Sequence, residues 1–385
     1  MTRVFDTTQM QGYGFFQETS AHRSYKAGEI IFHHGDLGEA MYILVEGEVH
    51  ITIEGRAIDH LMPGSVLGEM ALIDAQPRSA AATAATDCKL VYVDYDEFVS
   101  LTQKYPNFAV RIMQIMSNRL RRFMTEEVRR QRMEEELLIG KQIQLSLLPE
   151  RCPEIPGWEF AALYRAARQV GGDLYDFTAD TTDPHRWHIV IADVTGKGVP
   201  AALFMAMSRT LVRAEIAHGH GPSATLKRTN SFIVKDAQAR LFLSMFQGAL
   251  DTSSGRLTFS NGGHEWPLLW RANSRTLDIL KAPGFLLGVL PDIEPVEREA
   301  HIEPGDFLIL YTDGVTEARN KAGDLFGEER LYEIISGTAF ATANELVRAI
   351  TTAVAQFSGD TPPFDDFTLV VIKRKESPLF VGEPV

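Results

Sequence analysis

Between residue 22 and about residue 100 the apolar positions come in short runs. EIIFHHGD, MYILVEGEVHITIEG and KLVYVDYDEF are alternating or continuously apolar over strand length. Glycines at 28, 35, 38, 47, 55, 64 and 68 supply turns between them. This pattern predicts a compact all-β barrel or jelly roll. From about Tyr105 the period changes. Met113, Met116, Leu120, Phe123 and Met124, then Val128, Met133, Leu137 and Leu138, recur at three-to-four spacing. With Gly140 the one glycine and no proline after Pro106, the pattern predicts a long amphipathic helix over 106–148. Glu127 and Arg130 stand where a strict heptad places apolar residues, so a short dimeric coiled coil and a lone connecting helix are both open; the dimer is the expectation.

Pro149, Pro153 and Pro156 end the helix. Residues 157–375 then alternate strands and helices. HIVIADV and FLILYTDGV are buried-strand runs, and residues 199–218 form a helix with Ala201, Leu203, Phe204, Met207 and Leu211 on its apolar side. LFLSMFQGAL and RLTFSNGG, joined by DTSSG, predict a hairpin; TANELVRAITTAVAQFSG is a helix and DDFTLVVIKR a last strand. The expected class is multidomain: an all-β unit with flanking helices, a helical linker, and an α+β layered unit.

The 385 residues suffice for two ordinary domains, and 45% apolar with 23% charged residues is the composition of folded protein. A net charge of −13 repels nucleic acid and anionic membrane, so neither is an expected partner. Cys88 and Cys152 are far apart and have no zinc-type spacing, which points to a reducing compartment. The opening MTRVFDTTQMQGYGFF lacks a signal core, and no stretch is long and apolar enough to span a bilayer, so a cytoplasmic location is expected.

The aspartates carry the chemistry. Asp173 lies in VGGDLYD, Asp193 ends the run HIVIADV, Asp313 ends FLILYTD, and Asp365 and Asp366 open DDFTLVV. Any one of them beside glycine reads as a turn residue. Together, carboxylates at the mouths of buried strands are costly unless cations meet them, and an all-oxygen set suits Mg²⁺ or Mn²⁺. Asp176 is open between a turn role and support of the site. In the N-terminal part, GSVLGEMALIDAQPRSAAAT places a carboxylate nine residues before an arginine around a short helix. Helix amides and a guanidinium suit a phosphate, and a carboxylate suits a ribose hydroxyl.

QIQLSLLPE, VGGDLYDF, IADVTGKGVPAALFMA, GALDTSSGRLTFSNGGHEWPLL, PGDFLILYTDGVTEARN, LFGEERL and DDFTLVVIKR occur in order across about residues 140–375. These segments resemble the SpoIIE/RsbU branch of the PPM-type serine/threonine phosphatases. The resemblance implies a β-sandwich flanked by helices over 150–375, with two metal ions, Mn²⁺ or Mg²⁺, at one end. It implies that Asp173, Asp193, Asp313 and Asp365 are catalytic and metal-ligating, together with the backbone carbonyl of Val194. Gly171 and Gly172 would let the backbone approach closely, and Asp366 is the undecided neighbour in its doublet. Two such metals activate a water for in-line attack on phosphorus, with no protein nucleophile. Lys197 stands where many relatives carry histidine and is open between phosphate contact and a solvated surface role. His264 in NGGHEWP is open between an acid for the leaving alkoxide and a structural role, and the family pattern puts it in a structural hairpin segment. The expected substrate is phosphoserine or phosphothreonine on an anti-anti-sigma (STAS-type) protein.

AGEIIFHHGDLGEAMYILVEGEVHI, followed by the Glu–Arg cassette, resembles the cyclic-nucleotide-binding domain of the catabolite-activator and kinase-regulatory type, over residues 15–125. It implies that Arg78 meets the cyclic phosphate of cAMP or cGMP and Glu69 the 2′-hydroxyl. Gly68, Met70 and Ala71 would add backbone contacts, and Ser79 would sit near phosphate or base. A linker helix running directly into the phosphatase, with no Gly/Ser segment to absorb motion, suggests that nucleotide binding alters the metal site. A transcription factor is the first rival, but no helix-turn-helix follows the sensor. An inactive scaffold is the second, but the expected aspartates are all present.

Overall fold

The structure, a computed structural model, describes residues 21–236, 241–337 and 340–376. Residues 15–20, the start of the predicted sensor domain, and the opening stretch read for a signal lie outside the described residues. The chain divides between Arg132 and Met133 into two compact units.

The first unit contains strands β1 (His22–Tyr25), β2 (Ile30–Phe32), β3 (Ala40–Glu46), β4 (Val49–Ile53), β5 (Arg56–Leu61), β6 (Val66–Leu67), β7 (Ala81–Ala84) and β8 (Cys88–Asp94). They form two antiparallel four-stranded sheets, ordered β1-β8-β3-β6 and β2-β7-β4-β5. The alternation in the sequence explains the layers. Tyr42 and Leu44 of β3 point into a core shared with Phe32, Val49, Ala82 and Leu90 of both sheets. Met41 and Ile43, one residue out of phase, pack against Phe108, Ile112 and Ile115. The latter three open helix α3 (Pro106–Leu147), which follows α1 (Glu69–Asp74) and α2 (Tyr95–Lys104). Asp94 caps α2 by accepting from the Glu97 N–H at 2.9 Å.

Helix α3 is continuous over 42 residues. Leu120, Phe123, Met124, Val128, Met133 and Leu138 are exposed along it. Glu127 and Arg130, which interrupt the heptad, form an ion pair with each other at 2.6 Å.

The second unit holds β9 (Trp158–Arg165), β10 (Leu174–Ala179), β11 (Arg186–Val194), α4 (Val199–Ala217), α5 (Pro222–Asp236), β12 (Leu243–Asp251), β13 (Arg256–Gly262), β14 (Leu268–Arg271), β15 (Thr276–Ile279), β16 (Glu297–His301), β17 (Phe307–Tyr311), α6 (Asp313–Thr316), α7 (Gly327–Gly337), α8 (Ala343–Ser358) and β18 (Phe367–Arg374). Two antiparallel five-stranded sheets, β10-β11-β12-β13-β16 and β15-β14-β17-β18-β9, form a sandwich. Val370 and Ile372 of β18 face the core shared with Ile189, Ile191 and Phe246 of the other sheet. Leu369 and Val371 face Leu346 and Ile350 of α8. β18 therefore reads as continuously apolar because both its faces are covered. The β12–β13 hairpin pairs Leu250 with Leu257 across its turn.

Two expectations shift at the strand ends. Asp313 opens the short helix α6, since β17 stops at Tyr311, and Asp365 and Asp366 precede β18 instead of opening it. Both changes put the acids in connecting segments at one end of the second sheet. Among the described residues no helix is long and apolar enough to cross a membrane.

Candidate functional site

Asp173 directly precedes β10 and is 1% exposed. Its Oδ2 accepts hydrogen bonds from the hydroxyls of Thr312 (2.7 Å) and Thr368 (2.5 Å), which belong to the opposite sheet's end. A carboxylate from one sheet is thus held by two fully buried hydroxyls of the other. Burial, then the charges of Asp193 and Asp366, push the Asp173 carboxyl well above the usual carboxylate range.

Asp193, the penultimate residue of β11, shares a carboxyl hydrogen bond with Asp173. Burial, with Asp365 and Asp366, pushes it up to about 6, against that bond and the charge of Lys197. Asp313 is pushed up to about 7 by burial and then by Asp193 and Asp365. Asp365 is paired with Lys197 at 2.8 Å. The four predicted acids are therefore brought within electrostatic reach of one another, and three of them resist ionisation there. Among the described residues no three such side chains already surround a single point. The donor chemistry fits a hard divalent cation: all oxygen, mostly buried, and mutually repelling until positive charge is supplied. The Val194 carbonyl oxygen lies 2.8 Å from where a Cβ on Gly172 would stand, so the backbone approaches there as only glycine allows.

Asp366 is distinguished from Asp365 by its partners. Its Oδ1 accepts from the Ala167 N–H (2.7 Å) and its Oδ2 from the Gly172 N–H (2.5 Å), with the Asp173 N–H at 3.5 Å. It pins the loop that delivers Asp173. Asp176 supports neither a turn nor the site: mid-strand in β10, it binds Arg213 of α4 in bidentate fashion (2.5 and 2.7 Å) and Arg209 at 3.2 Å, tying helix to sheet. Lys197 takes a third course. Besides Asp365 it donates to the Phe364 carbonyl and lies 4.1 Å from the centre of the Phe364 ring. His264 is buried; its Nδ1 meets the Ser244 hydroxyl at 2.7 Å, and burial pushes it down to about 3. Sequence reading missed Thr312 and Thr368, though each sits within two residues of a flagged aspartate in TDG and DDFT.

The six predicted cradle residues, Gly68, Glu69, Met70, Ala71, Arg78 and Ser79, all line one cleft of about 190 Å³ in the first unit. Arg78 donates to the carbonyls of Gly68 (2.6 Å) and Ala40 (2.5 Å) and stacks 4.4 Å over Phe32. Gly68 has φ 76°, and a Cβ there would lie 2.4 Å from Arg78 Nη1. Glu69 is 2% exposed and pairs with Arg119 of α3, a residue outside the predicted set, whose Nη2 also donates to the Val66 carbonyl at 2.5 Å.

Residues 183–375, half of the chain, match the family model of Stage II sporulation protein E (SpoIIE), and residues 22–105 match that of the cyclic nucleotide-binding domain. Asp193, Asp313 and Asp365 fall inside the first match and Asp173 just before it. The chain is 32% identical over 245 residues to phosphoserine phosphatase RsbU of Bacillus subtilis (strain 168), covering 64% of this chain and 72% of that protein. It is 30% identical over 286 residues to Protein IcfG of Synechocystis sp., covering 67% of this chain and 44% of that protein. The solved SiaA-PP2C domain of Pseudomonas aeruginosa shares the fold, with a TM-score of 0.57 at 22% identity over 63% of this chain and 98% of that one.

Proposed function

The chain belongs to the SpoIIE family of PPM-type serine/threonine phosphatases and carries a cyclic nucleotide-binding domain ahead of the hydrolase, and from this we propose that it is a Mn²⁺- or Mg²⁺-dependent phosphatase of a STAS-type partner, controlled by cAMP or cGMP. The observation that carries the metal reading is the mutually repelling set of buried Asp173 with half-buried Asp193 and Asp313. Asp173, Asp193, Asp313, Asp365 and the Val194 carbonyl would hold the ions. When bound, they supply Lewis acidity that activates water and offsets phosphoryl charge. The chain's own residues orient the site. Thr312 and Thr368 fix the Asp173 carboxylate, and Asp366 fixes the loop that carries it. His264, neutral and buried, keeps the β12–β13 hairpin in register and moves no proton.

A cleft of about 230 Å³ beside Asp365 and Gly314 is lined by Arg165, Arg319 and Phe364. On a chain of net charge −13 these guanidiniums favour an acidic, phosphorylated protein segment. Control by nucleotide is supported by the cleft that gathers Glu69 and Arg78 and by the unbroken helix α3, which contributes Arg119 to it. The exposed apolar stripe on α3 supports pairing with a second copy as a homodimer. The unpaired thiols Cys88 and Cys152 favour the cytoplasm.

The test is turnover of p-nitrophenyl phosphate and of a phosphoserine STAS protein with Mn²⁺, after chelation, and across cAMP and cGMP titrations. Turnover that survives exhaustive chelation sinks the metal reading. A rate indifferent to a nucleotide that binds sinks the control reading.

A further inference from the structure

Lys197, singled out in the sequence as the lysine of TGKG, has no part in the chemistry above. It lies in the turn from β11 to α4, between two glycines with left-handed backbone, φ 91° at Gly196 and φ 78° at Gly198. From this turn the side chain crosses to the approach to β18, which belongs to the other sheet. There its ammonium pairs with Asp365 Oδ2 at 2.8 Å, donates to the Phe364 carbonyl and lies 4.1 Å from the centre of the Phe364 ring. The paired side chains are 28% and 22% exposed, so water screens them only in part. The second Asp365 oxygen is engaged as well, since Oδ1 accepts from the Asp366 N–H at 2.9 Å. Both oxygens of one expected cation ligand are thus taken, one of them by a positive charge.

We propose that Lys197 is an internal counter-ion of the cation site: its ammonium and a divalent ion compete for Asp365, and the ion binds there by displacing the lysine. The proposal rests on the phosphatase reading and concerns one of its expected ligands. Opposite charge draws the carboxylate to either partner, but the two partners repel each other at short range, so one excludes the other. Two roles are open to a lysine placed here, and they have opposite signs. A lysine that fixes Asp365 for the ion strengthens cation binding, and its removal weakens it. A lysine that competes for Asp365 weakens cation binding, and its removal strengthens it.

The experiment uses the full chain, as wild type and as Lys197→Met, which keeps the aliphatic stem and loses the charge, with Lys197→Gln as a second replacement. Mn²⁺ binding is followed by calorimetry and folding by circular dichroism. Release of one partly screened, charge-assisted hydrogen bond predicts about tenfold tighter Mn²⁺ binding in both variants. In an Asp365→Ala background the same replacements should change Mn²⁺ affinity by less than about threefold, because the contested oxygen is gone. A folded variant that binds Mn²⁺ as the wild type does, or more weakly, overturns the proposal. An equal gain in the Asp365→Ala background also overturns it, since the effect is then one of general charge. Should neither replacement fold, amine labelling of the wild type decides. Acetylation of Lys197, read by mass spectrometry against the other lysines, should rise severalfold when Mn²⁺ is added, and labelling that stays the same overturns the exchange. A wild type that neither binds Mn²⁺ nor turns over p-nitrophenyl phosphate removes the phosphatase reading and this proposal with it. A wild type that does both, with an isotherm matched by Lys197→Met, removes only the latter.

Discussion

Replacing Asp366 by alanine tests whether the second acid of the doublet acts on the backbone. The carboxylate accepts two well-formed amide hydrogen bonds, from Ala167 at 2.7 Å and Gly172 at 2.5 Å, and a marginal third from Asp173 at 3.5 Å. Hydrogen bonds to a charged group contribute about 1.5–3 kcal/mol each, so the two good ones amount to about 3–6 kcal/mol. Alanine offers no acceptor, and the loop either stays with unpaired N–H groups or opens. If the whole loss appears in the presentation of Asp173, kcat/KM falls by about 10²–10⁴, at about 1.4 kcal/mol per tenfold. Any part that appears in global stability shows in urea unfolding, so the two measurements are made together. Asp366→Asn keeps one oxygen and should lose less than Asp366→Ala, while Asp365→Ala, which removes an expected ligand, should abolish turnover. An Asp366→Ala protein within threefold of wild type in kcat/KM and unchanged in stability would refute the assignment.

Arg78→Leu should weaken cAMP or cGMP binding about 100-fold by calorimetry, since its buried guanidinium lines the cleft beside Glu69; unchanged affinity would remove it from the site. Arg165→Glu with Arg319→Glu should raise KM for the phosphoprotein about tenfold or more and leave p-nitrophenyl phosphate unaffected; equal effects on both substrates would deny a docking role. His264 gives a pH dependence. Its folded value, about 3, lies below the ordinary 6.5, so the unfolded chain protonates first, and the stabilisation is complete above pH 6.5 and lost as pH falls toward 3. Between pH 7 and 5 this amounts to about 2 kcal/mol; because protonation of the raised Asp193 and Asp313 carboxyls acts with the opposite sign over the same range, it is read by urea unfolding as the change in the stability difference between wild type and His264→Gln.

Much of this protein is written locally. The period-two runs of β3 and β18, the unbroken periodicity of α3 and the proline stop after it depend on near neighbours, and local sterics and burial decide them. The acids at the strand ends were equally legible, because an aspartate closing an apolar run is conspicuous whatever the fold. What each acid does was decided elsewhere. Asp365 and Asp366 are adjacent and chemically identical, yet one faces Lys197 and the other a loop almost 200 positions away, with its Gly172 partner separated by 194 residues. Thr312 and Thr368 meet Asp173 across 139 and 195 residues. Asp176 was open between a turn and support of the site until α4 supplied its arginines. Hydrogen bonding is short-ranged and directional, so a polar side chain's role is fixed only when folding brings its partner within about 3 Å. The sequence named the groups able to hold charge, and the packing of two sheets and of α4 assigned each its work.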